Sequence, residues 1–257
     1  MSIQEGSAVY LAIWFVLDFG VIAAIYTQTD LNAAWYEYLT NQVWLTAFFV
    51  KIFFVVVRSN VSMPEDKMCH LKWWVVASFI AVGCAQAGVL ITFFALTQQD
   101  DTLISEFVDA GVAVADVMIW NHLRHVTVCF LHLLVYISER RYISRVANEC
   151  IGESWNSDER LFALFVVAVG APMLMGLVHV VLFDDKRIYK FTDPMVGVRC
   201  MIFYGLSVVV SGVYFIYGPV RTTYNDTKTP SQLGLVIAWE LKEINDQKKE
   251  SGDEVNK

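Results

Sequence analysis

The chain has 257 residues, of which 56% are hydrophobic and 14% aromatic, and its mean hydropathy is +0.47. Soluble domains are less apolar, so the composition excludes an ordinary soluble protein and indicates an integral membrane protein. The formal net charge is −7 and the sequence suggests no basic face, so nucleic acid is not an expected partner.

Six apolar runs approach or exceed the roughly 20 residues that a membrane-spanning helix needs. In chain order they cover about residues 8–27, 42–57, 73–96, 117–137, 162–183 and 198–218. None of them alternates between apolar and polar residues with period two, which favours helices over a β-barrel. Residues 1–218 are therefore predicted to form one all-α, polytopic membrane helical bundle of about six transmembrane helices. Residues 219–257 are predicted to be a cytosolic tail with a short helix and a disordered end.

The distribution of Lys and Arg between the loops predicts the orientation of the bundle. The segments 28–41 and 97–116 contain neither residue, whereas the loops 58–72 and 138–161 contain three and four. These two basic loops and both termini are thus predicted to be cytosolic, in a multi-pass protein of the endoplasmic reticulum or plasma membrane. The fifth loop is an exception to this alternation because it carries three basic residues, Lys186, Arg187 and Lys190.

The five cysteines predict free thiols. Cys84, Cys129 and Cys200 lie within predicted spans, while Cys69 and Cys150 lie in loops that the orientation places in the cytosol. Because cytosolic thiols are kept reduced, the sequence predicts no disulfide framework.

Ionisable side chains within the apolar runs are costly in a bilayer and usually face the interior of a bundle. Asp18 lies near the middle of the first run and Lys51 near the middle of the second. Antiparallel neighbouring helices would bring these two residues to a similar depth. The favoured interpretation is a buried ion pair that holds the two helices together, and the alternative is that Lys51 binds an anionic substrate.

The fourth run contains several polar side chains in an otherwise apolar stretch. Asn121, His125 and His132 share one helical face, because they are spaced by four and seven residues. His122 and Arg124 point elsewhere. One interpretation is a series of hydrogen bonds between helices, each contributing about 1 kcal/mol.

Three further interpretations involve chemistry. Haem ligation needs paired histidines on two helices at matching depth, and among the other runs only the fifth offers one, His179. His179 itself is predicted to be a hydrogen-bonded interior histidine. Zinc is disfavoured because no carboxylate or thiolate accompanies His122 and His125 at ligand spacing. No metal or cofactor is therefore predicted, which leaves a histidine acting as general base to a hydroxyl on another helix.

A hydroxyl of this kind is available at the start of the second run. The predicted topology places Thr40 and His125 in the same, extracytosolic half of the bundle. The residues that follow Thr40 on its helical face are Trp44, Ala47 and Lys51. Thr46 and Thr127 are competing hydroxyls, although most threonines in membrane helices bond to their own backbone.

Two short motifs in this order resemble a known family. The stretches "WYEYLT" and "WNHLRHVT" are similar to the motifs of the androgen-induced family of membrane hydrolases. Further similarity lies in "LKWWVVASF", "ITFFALTQQDDTLISEFVD", "RIYKFTDP" and "GLSVVVSGVYFIYG", so the resemblance covers roughly residues 8–218. It implies a threonine hydrolase that acts on lipid esters, in particular fatty acid esters of hydroxy fatty acids. It also implies that Thr40 is the nucleophile and His125 the base.

Other parts of the site are interpreted from the chemistry that such a reaction needs. Asn121 is the candidate to stabilise the oxyanion, because it shares a face with His125. Arg124 or Lys51 would bind the free carboxylate of the substrate. The expected partners are the lipid ester and the surrounding membrane lipids. The rival hypothesis is a non-enzymatic membrane protein, either a transporter or channel or a scaffold whose polar residues only join helices.

Overall fold

A computed structural model of the chain describes residues 39–59, 65–97, 122–150, 155–183 and 194–221, with a few isolated positions before residue 21 and between 113 and 119. Within these ranges every regular element is helical and no strand occurs. The helices are α1 Leu39–Ser59, α2 Glu65–Thr97, α3 Val128–Glu149, α4 Ser157–Phe183 and α5 Pro194–Phe215. Two π-helical turns, Leu123–Thr127 and Ile216–Val220, precede α3 and follow α5.

Four helices in the described part of the chain are long and apolar enough to cross a membrane. Their candidate spans are Leu39–Arg58, Met68–Ala95, Ser157–Leu182 and Gly197–Val220. The described part of the chain is therefore all-helical, with four helices that indicate a membrane protein, and the second, third, fifth and sixth apolar runs are confirmed as helices. The fourth run is helical from residue 122, but its helix is not among these four. Most of the first run and the tail after residue 221 lie outside the described residues.

Helix α2 is the centre of the bundle. It packs against α1, α3, α4 and α5, and 72% of its apolar span is buried, whereas the spans of α1, α4 and α5 are 28–39% buried. The sequence "AVGCAQAG" explains this position, since small residues let neighbouring helices approach closely without a large side chain between them. The outward faces of α4 and α5 stay apolar, as Val181 and Val210 show, which suits contact with lipid.

Helix α3 is tied to the end of α5 by two side chains. Pro219 has no N–H, so in a regular helix the carbonyl of Phe215, four residues earlier, would have no partner. The Tyr136 hydroxyl donates to that carbonyl at 2.7 Å, and the Ser144 hydroxyl donates to the Val220 carbonyl at 2.8 Å. Two carbonyls, one at the end of α5 and one just after Pro219, thus accept hydrogen bonds from α3, which fixes the two helices side by side.

Arg58 and Glu139 join α1 to α3 at the opposite end of α1 from Thr40. Arg58 Nε donates to Glu139 Oε2 at 3.1 Å, and the Glu139 side chain is 4% exposed. The Arg58 guanidinium also lies over the Tyr142 ring, 4.5 Å from its centroid. These contacts give a buried carboxylate the opposite charge that its burial requires.

The same end of the bundle contains a disulfide between Cys69 and Cys150. The prediction that these two cysteines are free thiols is therefore wrong. Their Cα atoms are 4.7 Å apart, within the range that a disulfide can bridge, because the start of α2 and the end of α3 lie next to each other. Cys84, Cys129 and Cys200 are free thiols, as predicted.

Candidate functional site

A hollow lies between α1, α2 and the start of α3, at the end of the bundle opposite the disulfide. Its empty volume is about 230 Å³, including the part that is open to the outside. Seven residues line it: Thr40, Val43, Trp44, Gln86, Val89, His125 and Cys129. Only about 10 Å³ of this volume can be occupied by water-sized molecules, which is close to the minimum for one water. An ester group would therefore enter only when the lining side chains move apart, and long acyl chains would lie outside the hollow.

Each of the three walls of the hollow comes from side chains one helical turn apart. Thr40 and Trp44 are four residues apart on α1, and Gln86 and Val89 are three apart on α2. His125 and Cys129 lie four residues apart across the junction of the first π-helical turn with α3. Residues at these spacings share one face of a helix. Three independent helical faces therefore converge, and each brings one polar residue to the hollow.

Thr40 is the half-buried hydroxyl of this hollow, near the beginning of α1. Its competitor Thr46 is exposed, and the Thr46 hydroxyl donates to the Gln42 carbonyl at 2.8 Å. Thr46 thus bonds to its own helix in the way expected of membrane threonines. Thr127 is not among the residues that line the hollow.

His125 is held in place by an aromatic ring of α2. The imidazole is 7% exposed and stacks on Phe93, with ring centroids 4.1 Å apart and planes 11° apart. The residue lies within the π-helical turn Leu123–Thr127, and such turns inside helices occur frequently at functional sites. Stacking fixes the plane of the ring, so the edge of the imidazole that carries its nitrogen atoms has a defined direction.

Gln86 is a polar residue of the hollow that the sequence interpretation did not identify. It is 6% exposed, and neither its Oε1 nor its Nε2 has a hydrogen-bond partner among the described residues. The signal was present, because Gln86 is the only carboxamide in the apolar run 73–96. A neutral amide does not stand out in an apolar run as an ionisable group does, because its cost in a bilayer is smaller.

Lys51 does not line the hollow. It is 0% exposed and lies on the buried face of α1 that Trp44 and Ala47 share, as the periodicity predicted. Eleven residues separate it from Thr40, which corresponds to about 16 Å along the helix. Its predicted partner Asp18 lies outside the described residues.

His132 occupies a tight position on α3, two turns beyond His125. The ring is 2% exposed and stacks on Phe79, with centroids 4.2 Å apart. A Cβ on Gly83 would lie 2.6 Å from His132 Nε2, so the glycine makes room for the imidazole. His132 thus packs against α2 and does not line the hollow. The prediction for His179 is confirmed, since its Nδ1 lies 3.3 Å from Gln42 Oε1.

Two of the predicted substrate-binding residues cannot be placed in the site. Asn121 lies outside the described residues, and the structure describes only the backbone of Arg124, in the π-helical turn that contains His125. The roles predicted for Asn121, Arg124 and Lys51 therefore stay predictions. In the described part of the chain no three His, Cys, Asp or Glu side chains are grouped so that they could hold a metal ion.

Comparison of the chain with protein-family models, with curated proteins and with solved structures finds no match. The resemblance to the androgen-induced family rests on the motifs alone. Thr40 and His125, the two residues that those motifs single out, lie in different helices and line one hollow.

Proposed function

We propose that the protein is a membrane-embedded hydrolase of lipid esters in which Thr40 is the nucleophile and His125 the general base. The observation that supports this most strongly is the meeting of these two residues in the hollow between α1, α2 and α3. A threonine hydroxyl is a weak nucleophile on its own and needs a base within about 3 Å in the reacting complex. A buried imidazole held by Phe93 can supply that base.

The reaction proceeds in two halves. His125 accepts the proton of the Thr40 hydroxyl while the Thr40 oxygen bonds to the ester carbonyl carbon, and the carbonyl π electrons move to the oxygen. The tetrahedral intermediate then collapses, the alkoxide leaves, and His125 returns the proton to it. Water, deprotonated by His125, then attacks the acyl-threonine. When this second intermediate collapses, the bond to the Thr40 oxygen breaks, His125 returns the proton to that oxygen, and the carboxylic acid is released.

The proposed substrates are fatty acid esters of hydroxy fatty acids. The ester group enters the hollow when the lining side chains move apart, and acyl chains would leave it towards the lipid-facing surface of α1, where Phe49 and Phe53 are more than half exposed. Such a substrate also has a free carboxylate. Lys51, about 16 Å from Thr40 along the helix, suits an acid separated from the ester by a long chain. Arg124 suits a shorter separation because it belongs to the same turn as His125.

The experiment that tests the nucleophile compares three variants of the purified protein on a panel of lipid esters. Thr40→Val keeps the shape of the side chain but removes the hydroxyl, and we expect turnover to fall at least about 10³-fold, since only binding and oxyanion stabilisation remain. Thr40→Ser keeps the hydroxyl and should remain active. The matched control is Thr46→Val, which removes an exposed hydroxyl from the same helix and should hydrolyse the esters at the wild-type rate.

Labelling of membranes with a fluorophosphonate probe provides a second measurement on the same variants. Thr40→Val should lose the label while Thr46→Val keeps it. Equal ester turnover by the wild type and Thr40→Val would rule out Thr40 as the nucleophile. A wild type without ester turnover or labelling, combined with an ion flux that Lys51→Ala alters, would favour the transporter instead.

We also propose that the chain crosses the membrane six times with both termini in the cytosol, in the endoplasmic reticulum or plasma membrane. The support is the alternation of basic and non-basic loops between residues 28 and 161, to which the fifth loop is an exception. The disulfide between Cys69 and Cys150 points the other way, because disulfides persist mainly in oxidising compartments. We give precedence to the basic residues, since the four arginines between 138 and 161 act directly on the orientation of the neighbouring helices.

The orientation predicts the accessibility of the tail. In sealed microsomes, the variant Ser251→Cys should react with a membrane-impermeant polyethylene glycol maleimide and show one mass shift more than the wild type. The wild type, treated identically, accounts for any reaction of the native cysteines. If the additional shift arises only after detergent opens the vesicles, the tail is luminal and the proposed orientation is inverted.

A further inference from the structure

The amide of Gln86 is the feature of the hollow that the proposed roles of Thr40 and His125 leave unexplained. Leaving a buried donor or acceptor without a partner costs about 1–3 kcal/mol, and native proteins contain few such groups. Both the Nε2 donor and the Oε1 acceptor of Gln86 are buried and have no hydrogen-bond partner among the described residues. A well-packed leucine at this position would avoid the cost, so the amide suits a polar partner that enters the hollow.

The place of Gln86 distinguishes it from two other buried groups that have no partner in the described part of the chain. Trp73 Nε1 and His132 Nδ1 are also buried without a hydrogen-bond partner among the described residues, but neither residue lines the hollow. Gln86 does, together with Thr40 and His125, although it belongs to a third helix. Its amide is therefore the unpartnered donor that is placed where a bound ester would react.

We propose that the Gln86 Nε2–H group binds the carbonyl oxygen of the ester and stabilises the oxyanion that forms when Thr40 attacks. This role rests on the proposed hydrolase function. As the Thr40 oxygen bonds to the carbonyl carbon, negative charge develops on the carbonyl oxygen, and the hydrogen bond from Gln86 strengthens with it. The charge returns to the C=O bond when the alkoxide leaves with the proton from His125. Gln86 itself forms no covalent bond and transfers no proton.

With this assignment, the three groups that act on the ester come from three different helical segments. The nucleophile comes from α1, the base from the π-helical turn before α3, and the oxyanion donor from α2, the most buried helix. A donor on the central helix has its position fixed by the packing around it, which is what preorganised electrostatic stabilisation needs. Asn121 is the donor expected from the sequence, and the two assignments can be compared directly.

The test uses the purified full-length protein and the variant Gln86→Met, which keeps the length of the side chain and removes the donor. We expect kcat for a fluorogenic lipid ester to fall about 10²–10³-fold, the usual effect of losing one oxyanion donor. The rate of inactivation by a fluorophosphonate should fall as well. The affinity for a non-hydrolysable ether analogue should stay within about threefold, because the analogue develops no oxyanion.

Three variants serve as comparisons in the same assay. Thr92→Val is the matched control, because the Thr92 hydroxyl already donates to the Gly88 carbonyl of its own helix at 2.7 Å, and kcat should be unchanged. Gln86→Asn retains a shorter amide and should give an intermediate kcat; it decides the question if Gln86→Met does not fold. Asn121→Leu should lower kcat less than Gln86→Met.

The outcomes separate this inference from the function on which it rests. Normal, Thr40-dependent turnover in Gln86→Met would overturn the role of Gln86 and leave the hydrolase intact. A loss of ether-analogue affinity as large as the loss of kcat would assign Gln86 a merely structural role and also overturn it. If the wild type shows no turnover that Thr40→Val abolishes, the hydrolase fails and the role of Gln86 fails with it.

Discussion

Replacement of His125 by glutamine is expected to slow ester hydrolysis between about 10²- and 10⁴-fold, the contribution that a positioned general base makes to such a reaction. Glutamine has nearly the size of histidine and can form hydrogen bonds, but it cannot accept a proton near neutral pH. The Thr40 hydroxyl and the other residues that line the hollow would remain, whereas the stack of the His125 ring on Phe93 would be lost. Turnover of a lipid ester and the rate of fluorophosphonate labelling measure the effect.

A control on the same helix is available for this prediction. His122 is exposed and lies three residues before His125, so His122→Gln should leave turnover unchanged. The double variant of His125→Gln and Thr40→Val gives a sharper test. Residues that act as one catalytic unit are strongly non-additive, so the double variant should be no slower than the slower single variant. If the fold-decrease in turnover of the double variant equals the product of the two single decreases, a shared proton transfer is contradicted. The two substitutions would then have independent structural effects.

The helices of this protein are largely predictable from its sequence, because a bilayer leaves the backbone few alternatives. Backbone groups in lipid have to be satisfied within the chain, so a long apolar run becomes a helix almost regardless of its other details. The run 42–57 became α1 and the run 73–96 became α2. The predicted buried face of α1 follows from the same argument, since Ala47 and Lys51 are both fully buried.

The contacts between helices are much less predictable, because they depend on how distant segments pack. Cys69 and Cys150 are 81 residues apart, and nothing local indicates that α2 begins where α3 ends. The expectation of free thiols followed from the predicted cytosolic location of these loops. The location of a loop does not indicate whether two cysteines lie close enough to form a disulfide. Gln86 was missed for a similar reason. An amide in an apolar run predicts a hydrogen bond between helices. Only the packing shows that the amide lines a hollow and has no partner among the residues that the structure describes.

The π-helical turn at His125 is a further feature that periodicity does not predict. A pattern of four and seven residues assumes a regular helix, whereas the turn Leu123–Thr127 contains an additional residue per turn. His125 and His132 nevertheless both pack against α2, where they stack on Phe93 and Phe79. The prediction that His125 and His132 share one helical face is thus a good approximation over these seven residues. The direction of the His125 ring depends on the turn itself.

Truncation of Tyr204 is expected to destabilise the fold strongly. Its ring is 2% exposed and lies against two glycines: a Cβ on Gly88 or on Gly176 would come within 2.9 Å of it. Its hydroxyl donates to the Pro172 carbonyl at 3.1 Å, so one side chain of α5 joins α2 and α4. Tyr204→Ala should lower the free energy of unfolding by about 3 kcal/mol, the lower end of the range for buried aromatic residues, because the missing contacts are van der Waals contacts and the reference state is lipid.

The complementary change fills the space that the ring uses. Gly88→Leu alone should destabilise the bundle by about 1–3 kcal/mol, since the added atoms would overlap the Tyr204 ring and Val208. In the double variant with Tyr204→Ala the leucine enters the vacated space, so the two losses should be less than additive by about 1–3 kcal/mol. Gly170→Ala is the control, because a Cβ there meets no other atom within 4 Å, and its effect should stay within about 1 kcal/mol. Unfolding in mixed detergent micelles measures all four proteins. Fully additive losses would show that Gly88 and Tyr204 do not share the contact on which the packing of α2 against α5 is built.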